Sequence, residues 1–382
     1  MKEESSSIFV GIPSYRDSEI IPTLSDMFGK CSRKELIFVG ICLQEEFEEM
    51  NSDMLCEKLM EKGVFSNEQE YHKHVKVDFL EWREAKGPCF ARYRVQKLFS
   101  GQKYFLSIDS HMRFVERWDE MLVDLLSKCE NPDKSIITAY PPPYTLPDNV
   151  TNEGRIPFLC FKEFGGDGML RFAGKLLSAP QNSRVPIECF FWVSGFSFSN
   201  SRVLNECPCD PHLPFLFFGE ESSMTLRLYT KGWRFFCPPR NVVFHLWERS
   251  HRPNFREVHK LSDQIDRDFL QKLSMLRVKY LLHILEEKDK GMLQELAGKE
   301  GNDKQVISGV EISSFDARKV LEEISVYGLG SEKTLEEYNQ FTGLDLKAKT
   351  FTERSKYGGL EKNLFVDDLL DKILMLANFT NK

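Results

Sequence analysis

Four short apolar runs dominate the first third of this 382-residue chain, at residues 8–12, 36–41, 75–80 and 104–108. An apolar run without polar alternation belongs to a strand buried on both faces. The runs are separated by polar or amphipathic segments, and that order builds βαβ units around a parallel sheet. Between the third and fourth runs Pro88 opens a helix, because proline is tolerated at a first helical position. Ala91, Val95, Leu98 and Phe99 then share one face of that helix. The expected fold class is α/β, with a Rossmann-like sheet.

The pattern continues with a helix over 118–126 and a strand over 135–139. Pro141-Pro142-Pro143 and Gly165-Gly166-Asp167-Gly168 punctuate residues 141–185, which read as a long irregular region. Residues 189–199 restore strand character, and 233–247 read as two strands around Pro238-Pro239. Beyond about residue 260 the composition becomes charged and helical. Leu270, Leu273, Leu276 and Leu281 recur at helical spacing within 268–287, and residues 295–303 resemble a linker. Further helices are expected over 314–324, 331–341 and 366–378. The expected organisation is a main domain over 1–260 and a helical C-terminal appendage over 261–382.

A chain of this length can bury a large core. Its formal charge of -7 argues against a nucleic-acid or membrane binder, although a local basic patch can still hold a phosphate. The N-terminus is acidic and polar, without the basic-then-apolar order of a signal peptide, and no apolar run reaches bilayer length. The ten cysteines are scattered; Cys207-Pro-Cys209 is the one close pair and lacks the second pair of a structural zinc site. Buried, reduced thiols and a cytoplasmic location are expected.

Chemistry concentrates at Asp109-Ser110-His111. The triplet follows a buried strand, and open α/β sheets bind ligands at the carboxyl ends of their strands. In extended backbone, residues i and i+2 face the same side, so Asp109 and His111 can meet on one cation while Ser110 turns away. A carboxylate with an imidazole suits Mn2+ better than calcium. By itself an Asp-x-His triplet is also an ordinary loop element. A second signal is His245 in the apolar run 242–247, followed by Glu248-Arg249-Ser250-His251-Arg252. A histidine in an apolar strand is more often a core residue than a ligand. A third metal ligand followed by phosphate-binding cations, Arg249 and Arg252, is the other reading. Glu220 and Glu221 follow an aromatic run and precede a helix-like segment. They read either as helix N-terminal charges or as acids beneath a substrate.

Several elements occur in a characteristic order: residues 8–17, ending Pro13-Ser14-Tyr15-Arg16-Asp17; Gly87-Pro88-Cys89-Phe90-Ala91-Arg92; and residues 105–111. Trp192-Val193-Ser194-Gly195-Phe196, Phe218-Gly219-Glu220-Glu221 and His245-Leu246-Trp247 follow, with Tyr327-Gly328-Leu329-Gly330-Ser331 and residues 334–338 in the tail. Together they resemble the GT-A glycosyltransferases over roughly residues 7–350. More narrowly, they resemble the polypeptide α-N-acetylglucosaminyltransferases that include the cytoplasmic Skp1 hydroxyproline enzyme.

The resemblance implies a GT-A nucleotide-diphospho-sugar transferase fold, UDP-GlcNAc as donor, retention of configuration, and a divalent metal, Mn2+ with Mg2+ as the alternative. It implies Asp109, His111 and His245 as metal ligands. Pro13, Ser14, Tyr15, Arg16, Arg92, Asp109, Ser110, Trp247, Arg249 and Arg252 would bind the donor, with Glu220 and Glu221 at the sugar and acceptor. The implied partner is a protein acceptor such as Skp1, and a homodimer is compatible with it. The mucin-type polypeptide GalNAc-transferases also combine Asp-x-His with a later histidine on Mn2+. Two other readings therefore stand: a Ser/Thr polypeptide GlcNAc or GalNAc transferase, and a non-catalytic nucleotide-sugar-binding protein.

Overall fold

The computed structural model describes residues 6–150, 154–177, 184–253, 255, 267–297, 305–307, 310–312 and 321–366. Strands β1 (Ile8–Tyr15), β2 (Ile37–Glu45), β3 (Val75–Glu81) and β4 (Tyr104–Ile108) grow from the four apolar runs. Helices α1 (Ile20–Lys30), α2 (Ser52–Glu61), α3 (Glu68–His74) and α4 (Pro88–Gln96) connect them. Then come β5 (Met112–Phe114), α5 (Trp118–Ser127), β6 (Ser135–Thr138), the two-residue strands β7 (Tyr144–Thr145) and β8 (Asn149–Val150), and β9 (Ile156–Phe164) with β10 (Leu170–Leu177). β11 (Ile187–Cys189), β12 (Phe196–Asn200), α6 (Arg202–Glu206), α7 (Glu220–Thr230), β13 (Arg234–Cys237) and β14 (Val243–His245) follow.

The main sheet has eight strands in the order β11-β13-β6-β12-β4-β1-β2-β3. β3, β2, β1 and β4 are mutually parallel, as the βαβ order implies, and β12 enters antiparallel between β4 and β6. Val10, Ile12, Ile37, Ile41, Leu106 and Ile108 are almost fully buried between helical layers. Gly11 and Gly40 face side chains so closely that an added Cβ would stand 2.7 Å from Val95 and 2.6 Å from Phe9, which explains glycine in these strands.

Two expectations are corrected. Residues 141–185 are not irregular throughout: β9 and β10 form an antiparallel ribbon whose turn is the glycine-rich segment 165–168. Residues 158–161 of β9 are all buried, so the two-residue alternation that marks a half-exposed strand is missing. The run 189–199 is also two strands, since 190–195 leave the sheet between β11 and β12. β13 and β14 flank the Pro238-Pro239 segment as expected, yet they join different sheets, β14 pairing with β5.

Beyond β14, α8 (Arg267–Leu281) and α9 (Glu287–Ala297) form a helical pair, and α10 (Ile324–Tyr327) and α11 (Leu335–Thr342) follow. Arg277 on α8 forms a fully buried ion pair with Asp210 at 2.7 Å. Tyr338, Leu344 and Leu346 are buried in the same apolar core as the main sheet. Most of 295–303, 314–324 and 366–378 lies outside the described residues. All ten cysteines are unpaired thiols, eight of them buried. Among the described residues no helix is long and apolar enough to cross a membrane.

Candidate metal centre

Ile108 ends β4 in the middle of the sheet, and the chain leaves its carboxyl edge at Asp109. β5 begins three residues later and pairs antiparallel with β14, opposing His245 to Met112. This pairing brings a histidine 134 positions away against His111: the two Nε2 atoms stand 3.0 Å apart. His245 Nε2 is also 3.3 Å from Asp109 Oδ2. Two ligands at right angles on a cation with bonds of about 2.1 Å stand about 3 Å apart, so this spacing fits a shared ion. Ligand atoms of Asp109, His111 and His245 all lie within 4.8 Å of one another.

The donor set is that of a borderline divalent cation, one carboxylate and two imidazoles. Burial is the largest influence on Asp109 and pushes its carboxyl up, but His245, Arg92 and His111 together outweigh it and hold it well below the usual range. The group is therefore ionised. Burial moves His245 the other way, below the ordinary imidazole value, which keeps its lone pair available to a cation. His245 Nδ1 is buried without a hydrogen-bond partner among the described residues. The Trp247 ring packs on His245 at 4.2 Å between centroids, and its Nε1 donates to the Pro141 carbonyl at 3.1 Å.

Arg92 on α4 lies behind this cluster. One end donates to Asp109 Oδ1 at 2.9 Å and the other to Glu220 at 3.0 Å. Glu220 and Glu221 open α7, where Gly219 at φ +117° turns the chain into the helix. Burial raises the Glu220 carboxyl against the pull of Arg92. Burial likewise raises Glu221, to about 7, while it accepts the Tyr140 hydroxyl at 2.8 Å. Both acids thus reach the metal side of the sheet, Glu220 through Arg92 and Glu221 beside the Ser194 amide at 3.3 Å.

The remaining expected residues separate into two groups. Pro13, Ser14 and Tyr15 end β1, paired with Cys42, Leu43 and Gln44 of β2, and Arg16 follows directly. Ser14 is fully buried, Tyr15 packs edge-on against Phe255, and Arg16 lies over the Trp82 ring at 4.7 Å. Ser110 turns away from the cluster and donates to Asp17 at 2.6 Å. Arg252 comes within 3.5 Å of His111 Nε2, whereas Arg249 lies over the Phe217 ring at 6.0 Å on the exposed rim.

Three participants were not singled out from sequence. Asp17 accepts from His111 Nδ1 at 2.7 Å, and His251 approaches Asp17 at 3.3 Å. An added Cβ on Gly195 would stand 2.7 Å from Asp109 Oδ2, so only glycine lets the loop before β12 pass the carboxylate. The signal available for Asp17 was its place shortly after the first strand, at the same sheet edge as Asp109.

The sequence pattern of the glycosyltransferase (GlcNAc) family matches residues 7–71 and 48–348. The chain belongs to that family. Its GT-A-like fold is shared with GalNAc-T7, solved with UDP, GalNAc and Mn2+, at a TM-score of 0.54 and 15% identity. That match covers 87% of this chain and 56% of GalNAc-T7, so the chain spans a little over half of that protein. TarS from S. aureus, residues 1–349 with UDP-GlcNAc, aligns at a TM-score of 0.40 and 14% identity, over 74% of this chain and 69% of that one. The mannosyltransferase PcManGT from Pyrobaculum calidifontis, with GDP-Man and Mn2+, aligns at 0.38 and 10%, over 77% and 76%. No curated protein sequence matches this chain.

Proposed function

We propose that this glycosyltransferase moves an N-acetylhexosamine, GlcNAc in the first instance, from a UDP-sugar to a hydroxyl of a polypeptide, with Mn2+ or Mg2+ in the site. The observation that carries the reading is the convergence of Asp109, His111 and His245 at the carboxyl edge of β4. Family membership supports GlcNAc as the sugar. The cation supplies charge neutralisation for the departing diphosphate.

In the proposed front-face transfer the bond from the sugar C1 to the β-phosphate oxygen breaks and a bond from C1 to the acceptor oxygen forms on the same face. The acceptor proton passes to the departing phosphate, leaving UDP and the glycosylated chain. Asp109, His111 and His245 would hold the cation to which the diphosphate binds, Arg252 adds a positive charge beside it, and Arg92 holds Asp109. Trp247 and the end of β1, from Pro13 to Arg16, are assigned to the donor's surroundings. Glu220 and Glu221 are assigned to the sugar and acceptor side. Residues 1–260 form the proposed catalytic unit, with 261–382 as its appendage.

The second reading is GalNAc transfer to a Ser or Thr acceptor; GalNAc-T7, which shares the fold, was solved with UDP, GalNAc and Mn2+. The ordered motifs of the chain support hydroxyproline of a Skp1-like cytoplasmic protein. Mass spectrometry of peptides carrying Ser, Thr or hydroxyproline, after incubation with UDP-GlcNAc or UDP-GalNAc, separates these acceptors and donors. Asp109→Ala and His111→Ala are each expected to abolish Mn2+-dependent turnover; full activity in either variant overturns the metal assignment. UDP binding with no product from any donor and acceptor would leave a binding protein instead.

A further inference from the structure

Asp17 carries more of this site than its place in a loop suggests. Its side chain is fully buried, at 0% exposure, two residues beyond the end of β1. Oδ2 accepts from His111 Nδ1 at 2.7 Å and from the Ser110 hydroxyl at 2.6 Å. Oδ1 accepts the Glu19 amide at 3.0 Å. The backbone amide of Asp17 donates to Glu45 at 3.1 Å, which fixes the residue to the end of β2. A carboxylate only accepts, so the imidazole proton of His111 lies on Nδ1 and the Nε2 lone pair faces His245 and Asp109.

Resting on the metal assignment above, we propose that Asp17 is the positioning residue of the metal centre. It sets the tautomer and the ring orientation of His111 before any cation arrives. A histidine ligand backed by a carboxylate is a stronger, better-oriented ligand, and losing such a partner costs metal affinity. The same carboxylate also draws in the segment that follows β14. His251 Nε2 stands 3.3 Å from Oδ1, Arg252 Nε is 3.8 Å from Oδ2, and Ser18 Oγ donates to the His251 carbonyl at 3.3 Å. Asp17 thereby ties the metal ligand to the polypeptide carrying Arg252.

Mn2+ binding to the full chain, measured by calorimetry and by the Mn2+ electron paramagnetic resonance signal without any donor present, tests the assignment. Asp17→Asn, nearly the same shape, is expected to weaken Mn2+ binding by about 10–100-fold. In nitrogen-15 histidine spectra, His111 of the wild type is expected to show a protonated Nδ1 and a bare Nε2, with Asp17→Asn losing that preference. Asp17→Asn with wild-type Mn2+ affinity, or a wild-type His111 protonated on Nε2, overturns the proposal. If Asp17→Asn does not fold, the wild-type spectrum decides by itself. Retained Mn2+ binding in His111→Ala would instead overturn the metal assignment on which this inference rests.

Discussion

At the scale of single residues, the candidate metal centre depends on groups that would be costly anywhere else. Asp109 stays ionised in its partly buried place because His245 and Arg92 face it at 3.3 and 2.9 Å, and Gly195 leaves room beside it. Gly195→Ala would place a methyl group 2.7 Å from Asp109 Oδ2, forcing one of the two to move. Mn2+ affinity is expected to fall by about tenfold or more with the fold retained, as for other disturbances next to a ligand, and calorimetry reads it directly. Glu45 shows the opposite situation, a buried acid short of cations. Burial first, against the pull of the Asp17 amide and Arg16, raises its carboxyl from 4.5 to about 7. Between these values the folded chain holds a proton that the unfolded chain has lost. Its contribution is therefore fully present below about 4.5 and is lost as pH rises through about 7. Glu45→Gln keeps an acceptor for Asp17 without the charge. Relative to wild type it is expected to gain on the order of 2 kcal/mol between pH 5 and pH 8, measured by denaturant titration at both.

At the scale of elements, two short pieces decide the chemistry. The β5–β14 pair contains only three residues on each side, yet its register opposes His245 to Met112 and so fixes which imidazole meets His111. Because side chains alternate along a strand, a one-residue slip would turn His245 to the other face. Helix α7 is the second piece. Its first residues are Glu220 and Glu221, and Gly219 enters it at φ +117°, a backbone region that L side chains rarely adopt. A Cβ there would find ordinary contacts at 3.4 Å to Leu216, so the cost of a side chain is one of backbone strain. Gly219→Ala is expected to lose about 1–3 kcal/mol in thermal or chemical unfolding. Turnover should fall further than stability, since both acids depend on that turn.

At the scale of the whole molecule, the C-terminal region contributes to the core. Tyr338 is fully buried, with its ring 5.0 Å from Tyr229 of α7 and its hydroxyl donating to the Phe190 carbonyl at 3.4 Å. Gly359 packs so near Phe190 that an added Cβ would stand 2.7 Å from its ring. Phe190 in turn leads into the loop holding Ser194 and Gly195 beside the site. Tyr338→Ala should therefore cost about 3–5 kcal/mol, as deletion of a large buried ring does elsewhere. Its unfolding midpoint, compared with that of the exposed Phe351→Ala, checks this.

The amino-acid order alone determined the parallel half of the sheet, because a strand dry on both faces must be written as an unbroken apolar run. Residues 8–12, 36–41 and 104–108 were legible for that reason, as was the helix opened by Pro88; residues 75–80, interrupted by Lys76 and Asp78, form the edge strand β3, whose Lys76 is exposed. The triplet Asp109-Ser110-His111 was legible through its place after such a strand. The β9–β10 ribbon was hidden because its inner strand is buried along 158–161 and its turn resembles a loop. Tertiary structure alone decided the partners: His245 beside His111, Arg92 between Asp109 and Glu220, and Asp17 behind the imidazole. Spacing along a chain fixes what shares a face within one strand or helix. Which separate elements meet, and at what distance, is set by packing and register among strands far apart in sequence.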